Sequence, residues 1–133
     1  MKLTIKKLEK LGACKEAREK FLLQKETDVK KILLSLIDIR IGWANWFIVR
    51  LMTHSQKIQY AIYAAEQVID LYEKKYPDDD RPRKAIKAAK AYLKNKTTKN
   101  KNAAKAAAYA AYASANAEMK KKIILYGLKL VKL

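Results

Sequence analysis

Residues 27–76 read TDVKKILLSLIDIRIGWANWFIVRLMTHSQKIQYAIYAAEQVIDLYEKKY. Thr27 is placed to cap a helix, with Asp28 in the first turn where the helix dipole favours an acid. Val29, Ile32, Leu33, Leu36 and Ile37 then recur at helical spacing. Gly42 either interrupts this helix or bends it. Beyond it Ala44, Phe47, Ile48 and Leu51 form a second stripe. Thr53 and Gln56 match a capping box. Ile58, Ala61, Ile62, Ala65, Val68, Ile69 and Tyr72 make the next stripe, which Pro77 ends. The stretch predicts a buried helical hairpin over 29–72.

On the N-terminal side, Thr4 caps a short helix through Leu11, with Gly12 as its stop. A second helix follows over Cys14 to Gln24, its acids and bases interleaved as on a solvated face. On the C-terminal side, Asp78, Asp79 and Asp80 make a loop and offer a cap for a helix over Arg81 to Lys94. Pro82 is tolerated in its first turn. The lysine-rich run Lys96 to Asn102 reads as a mobile loop. Ala103 to Leu133 is the longest helical pattern, Ala/Tyr-rich in its first half, with Tyr109 and Tyr112 filling gaps between close-packed alanines. Gly127 weakens its last part and favours a kink there. Three Gly and two Pro in 133 residues leave little turn chemistry for a many-stranded fold. The expectation is one all-α domain over 1–133, a bundle of five or six helices with a long Ala/Tyr-rich C-terminal helix.

Charge is distributed unevenly. Residues 81–133 hold 15 Lys and Arg against one acid, Glu118, whereas residues 41–80 hold 4 against 6 and residues 1–40 hold 11 against 6, for a net +17. Such a field attracts phosphates, nucleic acid, anionic lipid heads or an acidic protein face. Half the residues are hydrophobic, enough to fold despite the repulsion. Cys14 is the one cysteine, so no internal disulfide forms. With a single histidine it cannot build a typical zinc site, and no cofactor or metal is expected. No signal peptide or membrane span is legible, and a cytoplasmic protein is the expectation.

Arg81, Arg83, Lys84 and Lys87 place cations at a helix N-terminus, against the dipole. Two readings fit: an Asp–Arg capping network that fixes the loop, or an anion site in which free N–H groups and an arginine fork hold a phosphate or carboxylate. The two can coexist. Trp43 and Trp46, one helical turn apart, serve either as core fillers or as a stacking wall for a planar ligand. Tyr60, Tyr63, Tyr92, Tyr109, Tyr112 and Tyr126 suit core or rim packing. Lys120, Lys121, Lys122, Lys129 and Lys132 flank an apolar face, which suits a solvated helix, a membrane surface or a protein contact. His54 and Cys14 lack the companions that catalysis needs, and Asp38 and Asp70 suit salt bridges to Arg40, Arg50 or a lysine. No enzyme is expected.

Three segments carry a resemblance: Leu11–Gly12–Ala13–Cys14, the run from Asp80 through Arg81, Pro82, Arg83, Lys84 and Lys87 to Ala89, and the Ala/Tyr pattern from Ala103 to Ala117. In this order they resemble an immunity protein family of bacteria and their phages, the immunity-five-like group. The resemblance implies an all-helical protein that neutralises an effector by binding, without catalysis, and matches Arg81, Pro82 and Arg83. With the charge, it leads to the expectation of a non-enzymatic binder from a conflict system, in immunity or counter-defence, that sequesters an anionic partner such as a nucleotide signal. Arg81 and Arg83 are then the ligand contacts, with Lys84 and Lys87 steering and Trp43 and Trp46 stacking. The alternatives are an inhibitor of an acidic protein effector and a nonspecific nucleic-acid binder. The alanine-rich helix also suits packing against a second copy of the chain.

Overall fold

The computed structural model describes residues 1–95 and 116–133. Over those residues the chain is all-helical, with α1 (Ile5–Lys10), α2 (Lys15–Leu23), α3 (Val29–Ile39), α4 (Ile41–Leu51), α5 (His54–Lys75), α6 (Arg81–Lys94) and α7 (Ala117–Leu130). Among the described residues that is seven helices, more than the five or six expected.

One extra helix comes from a break at Arg40. Its backbone leaves the helical region (φ −144°, ψ 72°), while Gly42 lies inside α4. Arg40 N–H still bonds Leu36 O at 2.7 Å, and its carbonyl accepts from Trp43 N at 2.9 Å. One residue therefore ends α3 and starts α4. The corner turns Ala44, Phe47 and Ile48 onto the same core as Leu33 and Ile37. Asp28, not Thr27, caps α3 by accepting from Lys31 N at 3.0 Å. The carbonyl of Thr27 instead accepts from Leu3 N at 2.7 Å.

The expected continuous helix over 103–133 is also corrected. Asn116 is extended (φ −76°, ψ 175°) and caps α7 through Met119 N at 2.9 Å, so α7 starts afresh at Ala117. The expected loop 96–102 and the Ala/Tyr segment with Tyr109 and Tyr112 lie outside the described residues, except for its last residues.

The close helix pairs are α3 with α4 and α5 with α6, and α7 packs against α3, α4 and α5. The 29–72 hairpin is thus replaced by two hairpins joined by α7. Ile123 and Ile124 of α7 are wholly buried, beside Leu33 and Ile48 in one continuous core. α7 runs unbroken through Gly127. A Cβ there would lie 2.9 Å from Tyr60 Cε2 and 3.1 Å from both Ile48 Cγ1 and Met52 Cε. Tyr60 is buried and its hydroxyl donates to Asn45 Oδ1 at 2.7 Å, so its ring cannot swing away freely. Glycine sits where three side chains from α4, α5 and the turn between them close on the helix backbone.

The capping box of α5 forms as expected, with Thr53 Oγ1 accepting from Gln56 N and Gln56 Oε1 accepting from Thr53 N. Gln56 Nε2 also donates to Leu130 O at 2.6 Å, closing the end of α7. The α1–α2 pair joins the core through Leu3, Leu8 and Ala13 and has few polar ties to the rest. Leu3 N bonds Thr27 O, Val29 N bonds Met1 O, Arg50 Nε donates to Leu11 O at 3.0 Å, and Arg40 pairs with Glu16 at 2.9 Å. No residue of α2 is fully buried. No helix of the described residues is long and apolar enough to cross a membrane.

Gly127→Ala sets two effects against each other. Alanine gains up to about 1 kcal/mol of helix propensity, but overpacking a rigid site loses roughly 1–3 kcal/mol. We expect a net loss of about 1 kcal/mol in urea denaturation, and a larger one for Gly127→Val. A Gly127→Ala protein more stable than wild type would show that the 2.9 Å approach to Tyr60 relaxes at little expense.

Candidate functional site

The arginine cluster forms where α5 ends and α6 begins. Asp79 organises it. Its Oδ1 accepts from Arg81 N at 3.1 Å and from Arg81 Nε at 2.8 Å, and its Oδ2 accepts from Arg81 Nη2 at 2.7 Å and Tyr72 Oη at 2.6 Å. These four donors all favour the charged form, led by the Arg81 guanidinium, and hold the carboxyl well below the usual carboxylate range. The same bond raises the pKa of Tyr72. Arg83 reaches across to α5 and clamps Glu73 with two parallel bonds of 2.8 Å, with Asp70 3.9 Å away. This arginine pushes Glu73 down. Lys84 pairs with Asp80 at 2.9 Å and is raised by it. Lys90 pairs with Glu66 of α5 at 2.6 Å.

Both arginine forks are therefore engaged by carboxylates of the chain itself, in the bidentate geometry that a phosphate would otherwise use. This is the capping network, extended by an inter-helix clamp. Asp80 occupies the cap position of α6, but its side chain makes no cap bond and is turned to Lys84. Lys87 is exposed and, like Lys94, has no carboxylate partner among the described residues.

The tryptophans lie elsewhere. Trp43 and Trp46 line a cavity of about 640 Å³ between α1–α2 and α3–α4, and no residue of α6 borders it. Each carries a guanidinium on its face: Arg40 over Trp43 at 4.5 Å, Arg50 over Trp46 at 4.0 Å. The six expected site residues are thus divided between two places. Arg40 and Arg50 were not singled out as partners of the tryptophans, although their spacing to Trp43 and Trp46, three and four residues, suits a helix surface.

The other candidates have structural partners. His54 meets Tyr92 Oη at 2.8 Å and packs edge-on against its ring. Tyr63 and Tyr126 stack at 4.0 Å. Asp38 pairs with Lys121 at 3.1 Å, and Asp70 lies nearest Arg83. Cys14 is exposed at the start of α2 and borders the cavity. No His/Cys/Asp/Glu group among the described residues could hold a metal ion.

A family model described as Imm-5 like putative immunity protein matches residues 48–130. The match takes in α5, α6, α7 and the arginine network, and begins just beyond the residues that line the cavity. No curated protein and no solved structure matches the chain.

The ion pairs make stability depend on acid. Asp79 and Glu73 have lowered pKa values in the fold, so each adds stability that is complete above its unfolded value, near pH 4. That stability is lost as pH falls through the lower folded value. We expect the melting temperature to drop between about pH 5 and pH 2, and the drop to shrink in Asp79→Asn and Glu73→Gln. Thermal unfolding followed by circular dichroism at stepped pH checks this. An acid branch unchanged by both substitutions would remove the network from the account.

Proposed function

The chain belongs to the Imm-5 like immunity proteins, and from that premise we propose that it acts by binding, without catalysis, and sequesters an anionic partner. The observation that supports the reading is where the positive charge remains after the ion pairs form. Glu66 and Glu73 of α5 and Asp79 and Asp80 of the following loop pair with Lys90, Arg83, Arg81 and Lys84. Lys87 and Lys94 of α6 and Lys122, Lys129 and Lys132 near the C-terminal end stay exposed without a carboxylate partner among the described residues, as do Lys6, Lys10 and Lys30 of the N-terminal third. A spread of lysines on helix surfaces steers an anion without dictating its shape.

In this reading Arg81 and Arg83 hold α6 in place on α5, and the lysines meet the partner. Occupied forks weigh against a single nucleotide gripped at the α6 N-terminus. They favour an extended polyanion such as an acidic face of an effector protein. A conflict system of bacteria or their phages is the setting that such a family implies. Nucleic acid is the second reading, supported by the same lysines.

Titration with an acidic peptide of poly-glutamate type, a panel of nucleotides and duplex DNA, at about 50 and 200 mM salt, separates these readings. We expect saturable binding of the acidic peptide, weakened several-fold by the double substitution Lys87→Glu and Lys94→Glu. His54→Ala and Cys14→Ser should leave it unchanged. Tight, steeply salt-dependent duplex binding with no peptide binding would make nucleic acid the partner. Absence of binding to every anion at low salt would overturn the proposal.

A further inference from the structure

We propose that the cavity between α1–α2 and α3–α4 binds a small, free amphipathic acid: an apolar chain or ring body carrying one anionic group. The site lies wholly within residues 3–47, before the matched 48–130, and stands apart from the lysine surface. Its volume, about 640 Å³, falls within the range of roughly 300–1,000 Å³ of small-molecule sites.

The walls decide the body of the ligand. Leu8, Phe21, Leu36, Trp46 and Phe47 face the space. Helix α2 fully buries none of its residues, yet it holds Phe21 toward α3 and α4. Ile39, 74 % exposed, stands among the lining residues with its surface in water. An apolar body in the cavity would gain from covering these groups. A nucleotide would not, because its ribose and phosphates need several fixed donors and these walls are mainly hydrocarbon.

The charges decide the head. Lys31 is balanced by Glu26 at 3.6 Å. At the other pole two cations share one carboxylate. Glu16 lies 2.9 Å from Arg40 and 3.9 Å from Lys20, and both cations line the cavity. One positive charge there is unmatched, at the edge of an apolar space. The complementary occupant is singly anionic. Its head would lie beside the Arg40 guanidinium, which already covers Trp43.

Both tryptophans of the chain line the cavity, so their emission reports its occupancy directly. The experiment titrates the full chain with decanoate and with decan-1-ol, below micelle formation. The expected result is a saturable change in tryptophan emission with decanoate at lower concentration than with the alcohol. Lys20→Gln, on an exposed side chain, should weaken decanoate binding about three-fold, as for an exposed ion pair, and leave the alcohol unchanged. Ala17→Phe, which fills the cavity from α2, should abolish the response to both while the melting temperature holds. No saturable response to decanoate would overturn the proposal. Equal affinity for acid and alcohol would overturn the anionic head. An undiminished response in a folded Ala17→Phe protein would place the ligand elsewhere and overturn the site.

Discussion

The close approach of α7 to α4 and α5 is the constraint on which the rest of the fold depends. Two helical hairpins, α3–α4 and α5–α6, present apolar faces that need a common partner. α7 supplies it with Ile123, Ile124 and Leu128, and Gly127 lets its backbone come within reach of Tyr60, Ile48 and Met52. Burial of this kind is non-directional and proportional to area. Position is fixed by polar ties at the edges: Tyr60 to Asn45, and Gln56 to both Thr53 and Leu130. A chain of net +17 has to be held against its own repulsion. The apolar centre does that without help from buried charge, since no charged or polar residue among those described is fully buried.

Much of the fold was legible because its signals are local. Thr53 and Gln56 announce the start of α5 three residues apart, and the structure forms that box. The stripe from Ile58 to Ile69 is buried as its period requires. The break at Arg40 was not legible, because the sequence offers a glycine two residues later as the more obvious hinge. The start of α7 at Asn116 was hidden for a different reason. Alanines favour helix on both sides, and one capping asparagine is easily lost in that pattern. Gly127 is hardest to read. Its role depends on residues far away in sequence, and helix propensity alone makes it look like a weak point.

The site divides in the same way. The Asp79–Arg81 contact spans two residues and could be anticipated from the aspartate run. The Arg83–Glu73 clamp joins two helices and could not. Together they change the meaning of the basic segment. Its arginines, which look free in sequence, are matched by carboxylates, as are Lys84, Lys90 and Lys121, whereas Lys87, Lys94, Lys122, Lys129 and Lys132 are left facing water. The tryptophan pair also changes meaning. One reading made it core and the other a stacking wall for a planar ligand. Trp46 packs against the core, and both tryptophans border a separate, mainly apolar space, each with an arginine on its face.

The α1–α2 pair is attached through the buried side chains of Leu3, Leu8 and Ala13, an isolated backbone bridge, one guanidinium on the Leu11 carbonyl and one surface ion pair, and α2 itself buries no residue. Stability is therefore graded along the chain. With few buried residues of their own, residues 1–24 are expected to open at a lower free energy than the whole bundle, while α3 to α7 stay folded. Amide hydrogens of α2 then exchange with solvent through this partial opening, whereas those of α3 and α7 wait for the whole bundle to come apart. The same opening would lay bare the apolar wall formed by Leu36, Trp46 and Phe47, so the loosely held N-terminal pair also governs access to the cavity beneath it.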